Sequence, residues 1–423
     1  MAETKNARTV LFVHHSNDLY GADVVLLETV KRLDRSRFAP FVVLPEDCRS
    51  EGGLAAELER LGVRFQFYPL AVMRRSYFKP GRIFPHLLEF IRAVTGLIRM
   101  VREQRVAIVH SNTLAVCAGA IAARITKTPH VWHVHEMLVS PERGRRAMHF
   151  AACRLSTIVV CISEAVRQHL LADQPKFGGR LVVVHDGLPL EDFFPVSDGS
   201  TFRQELGIPA SAPFIGMVGR LNHWKGQVVF VHAAKMVLDR FPDAHFLVVG
   251  SVFGNDQHYL DVLKSEVERA GISGSFRICD FRRDVPQILS SLDVFVHPSL
   301  LPEPFGLVVI EAMAACRPVV ATAHGGPLEM IEDGVSGHLV PPGDATALAG
   351  KIAVCLEDRA SSRAMGKRGQ ERALGLFHVS RYIERIQAIY DAILEARLSA
   401  DFEDTAGSRP GVTATRPCVS GRR

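Results

Sequence analysis

The residues with the most distinctive chemistry in this 423-residue chain fall in one stretch, Gly219 to Glu311. It opens with GRLNHWKGQ and closes with HPSLLPEPFGLVVIEAMAA. Arg220 and Lys225 stand five residues apart on a loop after the apolar run FIGMV, between Gly219 and Gly226. Two cations so placed suit a polyphosphate. Glu303 precedes a Pro-Phe-Gly turn, and Glu311 follows eight residues later inside a predicted helix. Carboxylates there suit sugar hydroxyls. A helix beginning near Phe305 would also turn unpaired backbone N–H groups, and the positive end of its dipole, towards an anion. The combination describes a pocket for a diphosphate carrying a sugar at each end.

The elements that must hold this pocket alternate between strand and helix. TVLFVHH (9–15) reads as a buried parallel strand, SNDLYGAD as a turn and VVLLETVKRL as a helix, the opening of a doubly wound unit. In that architecture ligands lie at the C-terminal ends of the strands. Gly21 would there let the backbone approach a ligand, or simply make a tight turn. PFVVLP, GGLAAELERLG and VRFQFYPL continue the alternation, as do AIVHSN and LAVCAGAIAARI. PHVWHVHEM is a strand whose pleat puts His133 and His135 on one face, either towards a ligand or as a hydrogen-bonded structural pair. In STIVVCISEAVRQHL a strand leads to a helix with Ser163 as its N-cap. RLVVVHDGLPLEDFFP is a last strand with a Pro/Asp/Gly-rich exit, and the pattern restarts at APFIGMVGR. The expected fold is α/β, two Rossmann-like doubly wound domains facing a cleft, spanning 1–195 and 196–380. Helices follow to near Arg397, and the Gly-, Pro-, Ser- and Thr-rich tail 398–423 is expected to be disordered.

Composition narrows the function. The net charge of +5 is mild and permits anionic partners such as nucleotides. No RNA- or DNA-binding motif is present, so no nucleic acid is expected as a partner. The segment 74–105 holds eight basic residues (Arg74, Arg75, Lys79, Arg82, Arg92, Arg99, Arg102, Arg105) against two acids, with Phe78, Phe84, Leu87, Phe90, Ile91, Leu97 and Ile98 interleaved. It is either a helix for an anionic membrane surface or an ordinary surface helix with solvated arginines. The eight cysteines are scattered without a C-x-x-C pair and read as buried small residues in a reducing compartment. With no signal-like N-terminus and no apolar run of about 20 residues, the expected location is cytoplasmic, with peripheral membrane contact. A P-loop, a G-x-G-x-x-G turn after the first strand and a G-x-S-x-G elbow are all missing. No D-x-D triad occurs either, so side chains must neutralise the diphosphate, and neither a metal nor any other cofactor is called for.

These residues also carry a family resemblance. GRLNHWKG, the Glu303-Pro-Phe-Gly…Glu311 spacing and HGGPLEMIEDGVSGHLVPPGD resemble motifs of the glycogen-synthase-like retaining glycosyltransferases (glycosyltransferase family 4, group 1), which have the two-domain GT-B architecture. YGADVVLLETVKRL, VHE, VCISEAV and VHDGLPLEDFFP extend the resemblance through the first half, so that it covers about 9–395. It implies that Arg220 and Lys225 bind the donor diphosphate and stabilise the leaving phosphate. It implies that Glu303 binds the donor hexose and Glu311 the ribose, and that backbone groups of Phe305, Gly306 and Leu307 contact sugar and phosphate. His135 would stand beside the reacting sugar and the Gly21 loop would line the cleft. A helix at 381–397 would pack back towards the first domain. The implied reaction moves a hexose from a UDP- or GDP-sugar to a saccharide or lipid-linked acceptor in cell-envelope or exopolysaccharide synthesis. A phosphorylase, an epimerase or a silent scaffold on the same fold are the alternatives. The chain departs from the family pattern at Tyr20-Gly21-Ala22, where many members have two glycines, at Asp280, and at Cys316, where a glycine is frequent.

Overall fold

The computed structural model describes residues 7–50, 52–74, 83–194, 199–252 and 257–406. Arg75, Phe78, Lys79 and Arg82 of the basic segment, and 407–423 of the tail, lie outside the described residues. Thirteen short apolar runs pair into two parallel sheets. The first holds β1 (Arg8–Val13), β2 (Phe38–Pro45), β3 (Arg64–Tyr68), β4 (Ile108–Asn112), β5 (His130–Val134), β6 (Ile158–Cys161) and β7 (Leu181–Val183), in the order β3-β2-β1-β4-β5-β6-β7. The second holds β8 (Phe214–Val218), β9 (His245–Val249), β10 (Phe276–Cys279), β11 (Val294–His297), β12 (Val319–Thr322) and β13 (His338–Val340), in the order β10-β9-β8-β11-β12-β13. Helices cover both faces, which is why Val10 to Val13 of β1 and Phe214 and Ile215 of β8 are wholly buried. Each half is a Rossmann-like unit. The strand order reverses between β1 and β4 and between β8 and β11, and a crevice opens outside the strand ends at such a reversal.

The turns after β1 and β8, and the loop after β11, therefore face the place where a ligand belongs. They carry Ser16–Tyr20, Arg220–Gly226 and Pro298–Gly306 respectively.

The last helix, Val379–Ala406, crosses back to the first sheet. Val379, Tyr382, Ile383, Ile386, Tyr390 and Ile393 are buried there with Val10, Phe12 and Phe38. Each such side chain gives about 1.5–3 kcal/mol on burial. Polar contacts fix the register: Tyr390 Oη lies 2.7 Å from His110 Nδ1, and Tyr382 Oη 2.7 Å from Thr29 Oγ1. The helix continues to Ala406, into the segment whose composition reads as disordered.

A second helix escaped the sequence pattern altogether. Glu142–Leu155 (ERGRRAMHFAACRL) is charge-rich, and its buried residues are His149, Ala152 and Cys153, too few to show an apolar stripe. The cysteine expectation also needs correction. Cys153, Cys161 and Cys355 are buried, whereas Cys48, Cys117, Cys279 and Cys316 are half-buried.

Contacts around one helix and one turn lock the two halves together. Ser163 accepts from Val166 N as the N-cap of the helix Glu164–Asp173, and its hydroxyl donates to the Pro304 carbonyl at 2.5 Å. Glu329 accepts from the backbone N–H groups of Glu164 (2.8 Å) and Ala165 (3.0 Å) on that same helix. His185 Nε2 lies 2.8 Å from Glu329, and its ring stacks on Phe305.

Candidate active site

The cleft wall from the second half is built on charge. After β8 the chain turns at Gly219, and Asn222 Oδ1 accepts from Lys225 N, fixing the short turn His223–Lys225. Gly226 follows with φ +77, and a Cβ there would stand 1.9 Å from the Pro298 carbonyl oxygen. Only glycine lets the cation loop lie this close to the chain leaving β11. Lys225 Nζ reaches Glu303 Oε2 at 2.7 Å. Ser299 Oγ donates to the same oxygen at 3.2 Å, and His297 Nε2 is 3.3 Å from it. Burial opposes ionisation of Glu303, but Lys225 and His297 outweigh it and hold the carboxyl well below its usual range. It is a carboxylate at neutral pH, and two of the three Lys225 donors remain for another anion.

The turn that carries Glu303 is held from behind by the HGGP segment. A Cβ on Gly325 (φ +68) would meet the Glu303 carbonyl oxygen at 2.2 Å, and one on Gly326 the Phe305 carbonyl oxygen at 2.0 Å. Gly306 (φ +104) caps the helix Leu307–Ala314, two residues later than the start expected at Phe305. Glu311 lies on that helix with no cation beside it, and burial alone raises its pKa to about 7.

The wall from the first half is built on histidine. Asn112, at the end of β4, joins two of them. Its Oδ1 lies 2.9 Å from His135 Nε2, and its Nδ2 lies 3.0 Å from His14 Nδ1. His14 Nε2 then reaches Asp23 Oδ1 at 2.6 Å, and Asp23 Oδ2 accepts from Tyr20 N at 2.9 Å. One set of protons satisfies the whole chain: Nε2–H on His135 donating to Asn112, and Nε2–H on His14 donating to Asp23. The other ring nitrogen of His135, Nδ1, faces Asp186 Oδ2 at 3.5 Å. Burial opposes charge on His135, but Asp186 raises its pKa on balance. His133, on the same face, stays neutral because burial lowers its pKa far below 6.5.

The walls meet at two points. The Arg220 guanidinium lies over the Tyr20 ring, 4.8 Å from its centroid. A Cβ on Gly21 would lie 3.4 Å from Leu307 Cδ1. Thus Arg220 and Lys225 with Glu303, and Gly21 with Leu307, come together around one crevice, with Phe305, Gly306 and Glu311 on the same turn and helix. His135 belongs to the opposite wall.

Comparison with known proteins agrees with this geometry. Residues 198–372 match the family described as Glycosyl transferases group 1, and 20–192 match Glycosyltransferase Family 4. An alpha-maltose-1-phosphate synthase from Mycobacterium tuberculosis is 30% identical over 67% of this chain and 78% of its own length. The chain belongs to the group 1 glycosyltransferases. A UDP-Gal:alpha-D-GlcNAc-diphosphoundecaprenol alpha-1,3-galactosyltransferase from Escherichia coli is 22% identical over 87% of this chain and 96% of its own. A D-inositol 3-phosphate glycosyltransferase from Corynebacterium urealyticum is 36% identical but matches over only 46% of this chain and 47% of its own. Among solved structures, Anabaena Alr3699/HepE in complex with UDP and glucose superimposes with a TM-score of 0.76 at 27% identity, covering 90% of this chain and 99% of that one. The fold is GT-B, and the protein is a glycosyltransferase.

Sequence reading of this glycosyltransferase missed Asn112, Asp186, His185 and Glu329 as cleft residues. Asn112 and Asp186 end or follow short strands, and their partners are supplied by other strands. Tyr20 has a use that two glycines would not offer, since its ring carries the Arg220 guanidinium.

Proposed function

We propose that the protein moves a hexose from a UDP-sugar, with retention of configuration, to a saccharide or lipid-linked acceptor of the cell envelope or an exopolysaccharide. The observation that carries this reading is the Lys225–Glu303 pair at 2.7 Å, set where the strand order reverses. In this assignment Lys225 and Arg220 take the diphosphate, Glu303 the hexose hydroxyls and Glu311 the ribose. The second half is the donor domain and the first the acceptor domain. As the glycosidic bond breaks, charge grows on the leaving phosphate oxygen, and preorganised cations stabilise it without rearranging. Glu303 is tied to Lys225, His297 and Ser299, which suits a hydrogen-bond acceptor for the sugar better than a covalent nucleophile. Both ring nitrogens of His135 face protein groups, so its imidazole is assigned a place beside the sugar rather than the role of a base, and the proton of the acceptor hydroxyl passes to the departing phosphate in a same-face displacement. A UDP-sugar is preferred to a GDP-sugar because the HepE structures hold UDP and UDP-glucose.

A lipid-linked acceptor finds support in the E. coli relative, whose name specifies a diphosphoundecaprenol acceptor. It finds support also in the helix Ile83–Glu103, where Leu87, Leu88 and Ile91 are 50–51% exposed beside an exposed Arg92. No helix among the described residues is long and apolar enough to cross a membrane. Anionic vesicles should therefore pellet the wild type, and neither Leu87→Ser/Ile91→Ser nor Arg99→Glu/Arg102→Glu/Arg105→Glu. Equal pelleting of all three would remove the membrane contact from the proposal.

The deciding experiment is a thermal-shift screen of UDP-, GDP- and ADP-sugars against wild type and Lys225→Ala, followed by NMR of the product anomer. A UDP-hexose that stabilises only the wild type and yields a product of retained configuration is the expected result. An inverted product, or a donor that stabilises both proteins equally, would overturn it.

A further inference from the structure

Two clusters of histidine and carboxylate stand in the first half: His14, His15 and Asp23 after β1, and His133, His135 and Asp186 around the ends of β5 and β7. Distance separates them. In the first, His14 Nε2 is 2.6 Å from Asp23 Oδ1 and Ser16 Oγ donates to the same oxygen, so ordinary hydrogen bonds close it. In the second, His133 Nε2 is 3.7 Å from Asp186 Oδ1, and His135 Nδ1 is 3.5 Å from Asp186 Oδ2. A charge-assisted hydrogen bond between such groups runs at about 2.7–2.9 Å. Neither contact is one.

Among the described residues His133 Nε2 and Asp186 Oδ1 also have no other hydrogen-bond partner, although their side chains are 1% and 3% exposed. A buried polar atom left so is destabilising, and here two face each other. The Asn112 relay sharpens the point. With His135 Nε2–H given to Asn112 Oδ1, the Nδ1 lone pair is what turns towards the Asp186 carboxylate. Lone pair against carboxylate is repulsive unless a proton or a metal cation lies between them, and at 3.5 Å a proton makes only a poor hydrogen bond. Metal–nitrogen and metal–oxygen bonds of about 2.0–2.2 Å in a tetrahedron set ligand atoms about 3.3–3.6 Å apart, close to the two separations found. The Asn112 contact is also the kind of outer partner that fixes the tautomer of a ligating histidine.

We propose that His133 Nε2, His135 Nδ1 and the Asp186 carboxylate form a binding site for one divalent transition-metal ion, with Zn2+ as the probe. Two imidazoles and a carboxylate suit that class rather than Mg2+ or Ca2+. The site is separate from any requirement of the transfer reaction. Where His135 stands beside the sugar, as assigned above, the ion inhibits transfer by tying the imidazole down; that consequence alone rests on the proposed function, and binding does not.

The test strips the full chain with a chelator and titrates Zn2+ in competition with a chromophoric chelator. One equivalent is expected to bind the wild type, and His133→Gln and Asp186→Asn each to weaken it by more than about tenfold. Co2+ on the wild type gives a readout that needs no variant: intense visible bands of a four- or five-coordinate ion are expected. No stoichiometric uptake, a six-coordinate Co2+ spectrum, or folded variants that bind Zn2+ as tightly as the wild type would overturn the site. Uptake without inhibition of transfer would leave the site standing and count against the place of His135 beside the sugar.

Discussion

The two walls of the cleft solve the same problem by opposite means. The wall from the second half holds a few polar groups with capacity to spare: among the described residues Lys225 commits one donor, to Glu303, and no cation stands beside Glu311. The wall from the first half has most of its nitrogens and oxygens committed to one another, in a chain from Tyr20 N through Asp23, His14 and Asn112 to His135, with His133 Nε2 and Asp186 Oδ1 outside that chain. Spare capacity is what a group needs to grip a charged substrate, and commitment is what it needs to stay still while another molecule is placed against it. Under the proposed function, one wall binds and the other aligns.

The contrast breaks first at Lys225. Lys225→Ala removes the donor proposed to meet charge on the leaving group and should lower kcat/KM by about 10²- to 10³-fold in steady-state assays. A fall smaller than that of an Asn112 variant would invert the assignment of the walls. Asn112→Ala cuts the relay without touching a cation; kcat should drop by about 10-fold while donor affinity by calorimetry is unchanged. Weakened donor binding in Asn112→Ala would mean that the first wall grips as well.

Glu311 sharpens the comparison through pH. Its folded pKa of about 7 lies above the ordinary 4.5, so the carboxyl is half-protonated near neutrality. With Glu311 on the ribose, as proposed, the ionised form is the one that accepts the hydroxyls, so donor affinity should rise by up to about tenfold between pH 6 and pH 8. The stability sign is opposite. A raised folded pKa stabilises fully below 4.5, and that contribution is lost as pH rises through about 7. Glu311→Gln should flatten both profiles.

The smallest effect belongs to neither wall. Cys316 has φ +56, a left-handed backbone that explains why glycine is frequent there. Cys316→Gly should add about 1 kcal/mol in urea unfolding and leave kinetics unaltered.

The two walls were not equally legible in the sequence. Arg220, Lys225, Glu303 and Glu311 act from one strand–loop–helix stretch, so their spacing carries the pattern. The committed wall draws His14, Asn112, His135 and Asp186 from the ends of four separate strands and Asp23 from the helix Gly21–Arg32, joined over separations such as the 98 residues from His14 to Asn112. Nothing in local spacing reports which strand ends become neighbours. Both sheets were legible because doubly buried strands are continuous apolar runs. The helix Glu142–Leu155 was not, because its buried face is His149, Ala152 and Cys153 rather than an apolar stripe.

The contacts between the halves bear on how such a protein can diversify. Pro304, whose carbonyl takes the Ser163 hydroxyl, adjoins Glu303, and Glu329, which caps the helix Glu164–Asp173, stands three residues beyond Gly326, which packs on Phe305. The jaw's bolt is thus cast in one piece with its tooth. A lineage altering this turn to accept another sugar would also retune how tightly the jaw shuts.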